Sequence, residues 1–177
     1  DDTRYFHLPR VGASRVLVVD GDPGATAVAS EVYFLERALA PWGGGRGGVL
    51  PEIKALSGLA ELDADRHRVV ILANVADPGP YSAALVDFVR QGGGLVISGG
   101  ENVTKESYNG PLRDLLPAPL RKRRNLVDLS ARGGVPLALP ATDTALFRAF
   151  SRGGRLALTS MTARRVLTFE AFQQSPE

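Results

Sequence analysis

Three apolar runs constrain this chain more than any other feature. Val16-Leu17-Val18-Val19, Val69-Val70-Ile71-Leu72-Ala73 and Leu95-Val96-Ile97 are short, unbroken and rich in β-branched residues. Runs of this kind suit strands buried on both faces, as in a parallel sheet covered by helices on each side. The first strand, residues 15–20, ends in the turn Asp20-Gly21-Asp22-Pro23-Gly24. A helix is predicted over residues 25–40, where Val28, Val32, Leu35 and Leu39 recur at helical spacing and Pro41 stops it. The second strand, residues 68–74, leads through Asp77-Pro78-Gly79-Pro80 to a helix over 81–91 with Leu85, Phe88 and Val89 on its apolar face. Gly92-Gly93-Gly94 caps that helix and delivers the chain to a third strand, residues 95–98. Three βα units in one direction predict an α/β fold with a doubly wound, mostly parallel sheet.

The flanking segments are assigned by weaker signals. Residues 1–14 read as a connector from a preceding module, and residues 15–177 as one α/β domain. The opening Asp1-Asp2-Thr3-Arg4 is expected to continue an upstream chain, and no basic leader precedes an apolar stretch. Residues 49–56 are a predicted strand, with Pro51 arguing for a sheet edge, and residues 59–65 a helical turn. Past Asn102 a short helix is predicted over 108–116, strands over 125–129, 155–158 and 165–169, and a helix over 142–150. A length of 177 residues is enough for a sizeable core. No apolar run approaches the ~20 residues of a membrane-spanning helix. The chain has no Cys, which removes disulfides, thiolate nucleophiles and Cys-based zinc sites together.

In open α/β sheets ligands bind beyond the C-terminal ends of the strands. Here those ends carry Asp20, Asp22, Asn74, Ser98, Gly99, Gly100 and Glu101, which are predicted to line one crevice. Glu31 and Tyr33 lie on the first helix, where Tyr33 is expected to pack. The mixture of carboxylates and a Gly-rich turn suits a small polar or cationic ligand better than a phosphate. No phosphate-binding loop or dinucleotide fingerprint is present, since Asp20-Gly21-Asp22-Pro23-Gly24 has neither the spacing nor the charge for one. Asp20, Asp22 and Glu101 could be arranged around a magnesium or calcium ion. The favoured reading gives Asp20 and Asp22 to the turn and the next helix, with no metal and no cofactor. His7 and His67 have no ligand spacing and are expected at the surface. Ser98, followed by Gly99 and Gly100, has the strand-turn setting of a nucleophile elbow. Val96 stands where the elbow's first Gly belongs, and no His follows to act as base. The basic run Arg121-Lys122-Arg123-Arg124 has no interleaved aromatics and is expected on a solvated edge or loop ahead of a nucleic-acid surface.

An ordered set of segments resembles one bacterial group. It comprises Arg4-Tyr5-Phe6, residues 16–23 (Val16 to Pro23), residues 31–41 (Glu31 to Pro41), Val69-Val70-Ile71-Leu72-Ala73-Asn74-Val75, residues 88–100 (Phe88 to Gly100), Tyr108-Asn109 and Leu115-Leu116-Pro117. The group is the class I glutamine amidotransferase-like domain of Bat-type, aerotolerance-related membrane proteins, which often also carry a von Willebrand A domain. The resemblance covers roughly residues 1–120. It implies a flavodoxin-like three-layer sandwich, a preceding β-rich module ending near residue 8, and a bacterial location on a parent tethered to the inner membrane. It also implies further C-terminal strands, so the sheet is expected to be truncated here. Amidotransferases of this class use an elbow Cys with downstream His and Glu. Ser98 falls at or beside the elbow, and neither the Cys nor the downstream His exists in this chain. The expected function is therefore a non-catalytic module that binds a small polar ligand or a protein partner, including other domains of its parent. Two alternatives stand beside it: a Ser98-dependent hydrolase or transferase, and polyanion binding through residues 121–124.

Overall fold

The computed structural model describes residues 12–26, 28, 30, 32–41, 43, 48–127, 133–136 and 160–170. The chain divides into two compact units, Asp1–Pro117 and Ala118–Glu177. Among the described residues no helix is long and apolar enough to cross a membrane. The predicted connector over 1–14 falls almost entirely outside the described residues, as do the predicted elements at 142–150 and 155–158.

The first unit is an α/β fold around a four-stranded, all-parallel sheet. Its strands are β1 (Ser14–Asp20), β2 (Val49–Lys54), β3 (His67–Ala73) and β4 (Gly94–Ser98), in the spatial order β2-β1-β3-β4. Helix α1 (Tyr33–Leu39) follows β1, a 3-10 helix (Leu56–Glu61) follows β2, and α2 (Ser82–Arg90) joins β3 to β4. The order matches the first four strands of a flavodoxin-like sheet, and the chain switches direction between β1 and β3. The three strands predicted from the apolar runs are thus parallel neighbours, in register from Val16↔Val69 to Ala73↔Ser98. Pro51 lies in β2 at the sheet edge, as predicted.

Alternation along the strands divides the core between the sheet's two faces. Val16, Val18, Ile71 and Ala73 face one way, where Val32, Leu35 and Leu39 pack against them. Leu17, Val19, Val70 and Leu72 face the other way and are almost wholly buried. Leu85 and Phe88 are the buried residues of α2. That helix stops at Gly92, which adopts φ +92. The Gly93 N–H donates to the Phe88 carbonyl and the Gly92 N–H to the Val89 carbonyl, both at 3.0 Å. This is the paired closure that a left-handed glycine makes inexpensive.

Three predicted boundaries are corrected. The first helix spans Tyr33–Leu39, not 25–40, and Val28 is exposed. Ser30 explains the late start. Its hydroxyl accepts from the Val32 N–H at 3.2 Å, and its carbonyl accepts from the Tyr33 N–H at 3.3 Å, so the helix begins from a serine turn. The helix predicted at 108–116 is α3 (Lys105–Asn109), one turn earlier. Thr104 caps it by accepting from the Ser107 N–H at 3.3 Å, and Gly110-Pro111 ends it. The strand predicted at 125–129 is β5 (Leu120–Asn125), which absorbs the whole basic run.

The second unit holds β5, β6 (Val135–Pro136), β7 (Thr162–Ala163) and β8 (Arg165–Phe169). β5 pairs with β8 and β6 with β7, both antiparallel. The predicted strand at 165–169 is β8.

His67 corrects another expectation, because it is buried and not on the surface. Its Nδ1 accepts from the Asp63 N–H at 3.4 Å, which leaves Nε2 directed at Glu52, 3.7 Å away. Glu52 also pairs with Arg15 and, at 2.8 Å, with Arg66. Charged neighbours in the sequence suggested solvent, but these charges converge on one carboxylate and enclose the imidazole. The hydrogen bond from Arg15, with that from Arg66, outweighs partial burial and holds the Glu52 carboxyl at about 2, below its ordinary 4.5. A depressed carboxyl stabilises the fold fully above its unfolded value and loses that contribution as pH falls through the folded one. The stabilisation is about 2 kcal/mol after allowing for the partial solvation of both guanidiniums. Denaturant unfolding across an acid series should therefore show stability falling between pH 4.5 and about 2. Glu52→Gln should be less stable at neutral pH, and its deficit should shrink as the acid limit is approached. An unchanged deficit at every pH would refute the linkage.

Candidate functional site at the strand ends

The C-terminal ends of β1, β3 and β4 are stitched together by main-chain hydrogen bonds. The Gly21 N–H donates to the Ala73 carbonyl at 2.8 Å, and the Asn74 N–H to the Ser98 carbonyl at 3.1 Å. Asp20 and Ser98 flank Ala73 in the register, and the two bonds extend the ladder by one residue, to Gly21 and Asn74. These residues then separate into a buried floor and an open rim.

Asn74 forms the floor. It is 2% exposed and adopts φ +51, the only non-glycine residue described with a left-handed backbone. Asn tolerates that region better than most residues because its short polar side chain bonds locally. Here the carboxamide oxygen accepts from the Asn102 N–H at 2.8 Å, and Asn102 Nδ2 donates to the Gly21 carbonyl at 3.3 Å. The turns after β1, β3 and β4 are thereby tied to one another. Two glycines make room for the arrangement. A Cβ on Gly100 would overlap the Asn74 carboxamide, and one on Gly21 would overlap the main chain of residues 74 and 75.

Tyr108 braces the floor from α3. Its buried hydroxyl donates to the Val75 carbonyl at 2.7 Å. Burial, helped by the Asp77 charge, pushes the phenol up to about 12, so it remains a neutral donor throughout the physiological range.

Asp20 serves its own turn. One carboxylate oxygen accepts from the Asp22 N–H at 3.0 Å and the other from the Ser30 hydroxyl at 2.7 Å. The favoured reading of Asp20, as a residue that satisfies the turn and the approach to the helix, is what the structure displays. Among the described residues Asp20, Asp22 and Glu101 form no group able to hold a metal ion.

The rim consists of Asp22, Ser98, Gly99 and Glu101, all exposed. Tyr33 is half-buried, stacked edge-on to Phe34 with a centroid separation of 5.1 Å and covered by the Arg37 guanidinium at 4.9 Å. The buried packing role expected of Tyr33 is not met, because Phe34 and Arg37 are themselves exposed, and Glu31 lies outside the described residues. Asn102, Ser30 and Tyr108 are participants that the sequence reading missed. Asn102 could be recognised as a turn residue after Gly99-Gly100, but nothing local names a partner 28 positions away.

Asn74 yields a discriminating test. Asn74→Ala orphans the Asn102 N–H, worth roughly 1–3 kcal/mol, and forces Ala into the left-handed region for about 1–2 kcal/mol more. Asn74→Gly removes the same hydrogen bond without the backbone penalty. Denaturant unfolding should rank wild type above Asn74→Gly and Asn74→Gly above Asn74→Ala, although glycine deletes more atoms. The reverse order of the two variants would contradict this account of the turn. Comparison with known proteins finds no family model, no curated protein and no solved structure that matches the chain.

Proposed function

We propose that this chain is a non-catalytic, glutamine amidotransferase-like binding module that receives a small polar ligand or a protein partner at the rim of Asp22, Ser98, Gly99 and Glu101. The fold supports this reading at the level of architecture. The resemblance in residues 1–120 supplies the family, together with a bacterial, envelope-associated parent that tethers the module to the inner membrane.

One observation carries the non-catalytic part: the distance between Ser98 and the imidazole whose place is described. His67 opens β3, whereas Ser98 pairs with Ala73 at that strand's far end. Six residues of strand separate the two levels by about 20 Å. His67 is moreover enclosed beside Glu52. Acyl transfer by a serine needs a base within hydrogen-bonding reach. Asp20, the carboxylate at the end of β1 beyond the intervening β3, is engaged by Ser30 and by its own turn. A Ser98-dependent hydrolase is the second reading, favoured by the exposure of Ser98 on a Gly-rich turn.

The two readings separate in a paired measurement. Ammonia release from glutamine and hydrolysis of an activated ester are followed for wild type and Ser98→Ala. The binding module predicts no turnover that depends on Ser98. Turnover abolished by Ser98→Ala would establish the hydrolase instead. Thermal unfolding against a panel of polar and cationic metabolites, with Asp22→Ala and Glu101→Ala beside wild type, then tests the rim. A ligand should stabilise wild type and lose its effect in both variants. Equal stabilisation of all three would place binding elsewhere.

A further inference from the structure

The basic run does more in β5 than its sequence suggests. In a regular strand Arg121-Lys122-Arg123-Arg124 would alternate, two side chains to each face. The β5–β8 register breaks this pattern. Leu120 pairs with Phe169 and Arg123 with Leu167, so Arg121 and Lys122 together oppose Thr168 in a β-bulge. The Thr168 hydroxyl occupies the break, donating to the Lys122 carbonyl at 2.8 Å and accepting from its N–H at 3.4 Å.

Beyond the bulge the phase is shifted. Arg124 pairs with Val166, on the face of Thr168, and Arg123 pairs with Leu167, on the face of Leu120 and Phe169. From Leu120 to Arg124 exposure follows the same division, while Asn125, Arg165 and Phe169 on the other face are also exposed. Arg121, Lys122 and Arg124 are exposed, Arg123 is half-buried and Leu120 is buried. Arg164 lies one residue before β8, two positions from Val166, where a main-chain bond carries the ladder one step further. It is exposed, and its carbonyl accepts from the Leu126 N–H at 2.7 Å. One face of the ribbon thus gathers Arg121, Lys122, Arg124 and Arg164. Among the described residues none of the four has a salt-bridge partner, and Glu170 is the only acidic one of this unit that is described, the sequence adding Asp128, Asp143 and Glu177.

From this face we infer that the β5–β8 ribbon is a docking surface for the phosphate backbone of double-stranded nucleic acid, without base readout. Charge density favours that occupant. Three cations on β5 span about 10 Å, a length over which a duplex presents roughly six phosphate charges. Three of the four cations are guanidiniums, which engage phosphate oxygens in pairs. The exposed apolar side chain of β8, Phe169, belongs to the opposite face with Leu120. Among the described residues the cationic face therefore offers no exposed apolar group to enter a lipid layer and no aromatic ring to stack on a base. The missing aromatics that weigh against base recognition leave phosphate contact intact.

The test is anisotropy of a labelled mixed-sequence duplex titrated with the full chain across a salt series. Four phosphate contacts predict an affinity loss of roughly 10²-fold between about 50 and about 200 mM salt. The triple variant Arg121→Gln/Lys122→Gln/Arg124→Gln should bind far more weakly, with the logarithmic salt slope reduced by roughly 3. Its thermal unfolding should match wild type. A triple variant with the same loss of charge outside the ribbon, Arg68→Gln/Lys105→Gln/Arg113→Gln, should retain affinity and slope. Equal weakening of both triple variants would reduce the effect to net charge and overturn the proposal. So would undiminished binding by the ribbon variant, or a preference for phosphatidylserine vesicles over the duplex at equal salt.

Discussion

The hydrogen bond from the Asn102 N–H to the Asn74 carboxamide is the contact on which the strand-end architecture depends. Parallel strands bring their C-terminal ends together, but they do not by themselves fix the loops that leave them. Asn74 supplies that restraint from a position where few side chains are tolerated. Its backbone turns left-handed at the end of β3, its side chain goes inward beneath Gly100, and Asn102 passes the connection on to Gly21. A buried polar group is costly unless satisfied, and within this network it specifies one arrangement of three turns.

The opposite end of the sheet is governed by charge. Glu52 gathers Arg15 from β1 and the consecutive Arg66 and His67 from the start of β3, two strands that flank each other in the sheet. Removing one partner leaves the others facing incomplete neutralisation, which makes such clusters sensitive to single changes. One end of this sheet is thus organised by neutral amides beneath an open rim, and the other by an ionic knot. The amide end presents the exposed Ser98 and Glu101 around the turn Gly99-Gly100, and the proposed binding reading is built on that end.

Much of the architecture was legible because burial on both faces leaves a direct mark on composition. That holds for the runs at Val16 and Val69, whereas the run at Leu95 forms the edge strand β4, with Val96 exposed and no residue fully buried. Pro51 marked an edge because it cannot donate to a ladder. The late start of the first helix was hidden, since Ser30 acts through bonds to Asp20 and Val32 that helical periodicity does not register. His67 was misread for a related reason: whether charged neighbours solvate a side chain or enclose it depends on Glu52, fifteen residues earlier and on another strand. At the strand ends the topology identified Asp20, Asn74 and Ser98 as neighbours. It could not say which would be consumed by the turns, because that depends on hydrogen bonds between residues far apart in sequence.

The bulge in β5 has an implication for how this surface can change over time. The partition of its side chains is set by how many residues lie between Leu120 and Arg123, not by which residues they are. Substitution of one cation dilutes the charged face by one unit. Loss of one residue from that interval would close the bulge, restore strict alternation and send neighbouring cations to opposite sides. Segment length is therefore the quantity that purifying selection would guard here, while the identity of each basic residue is free to drift between Lys and Arg.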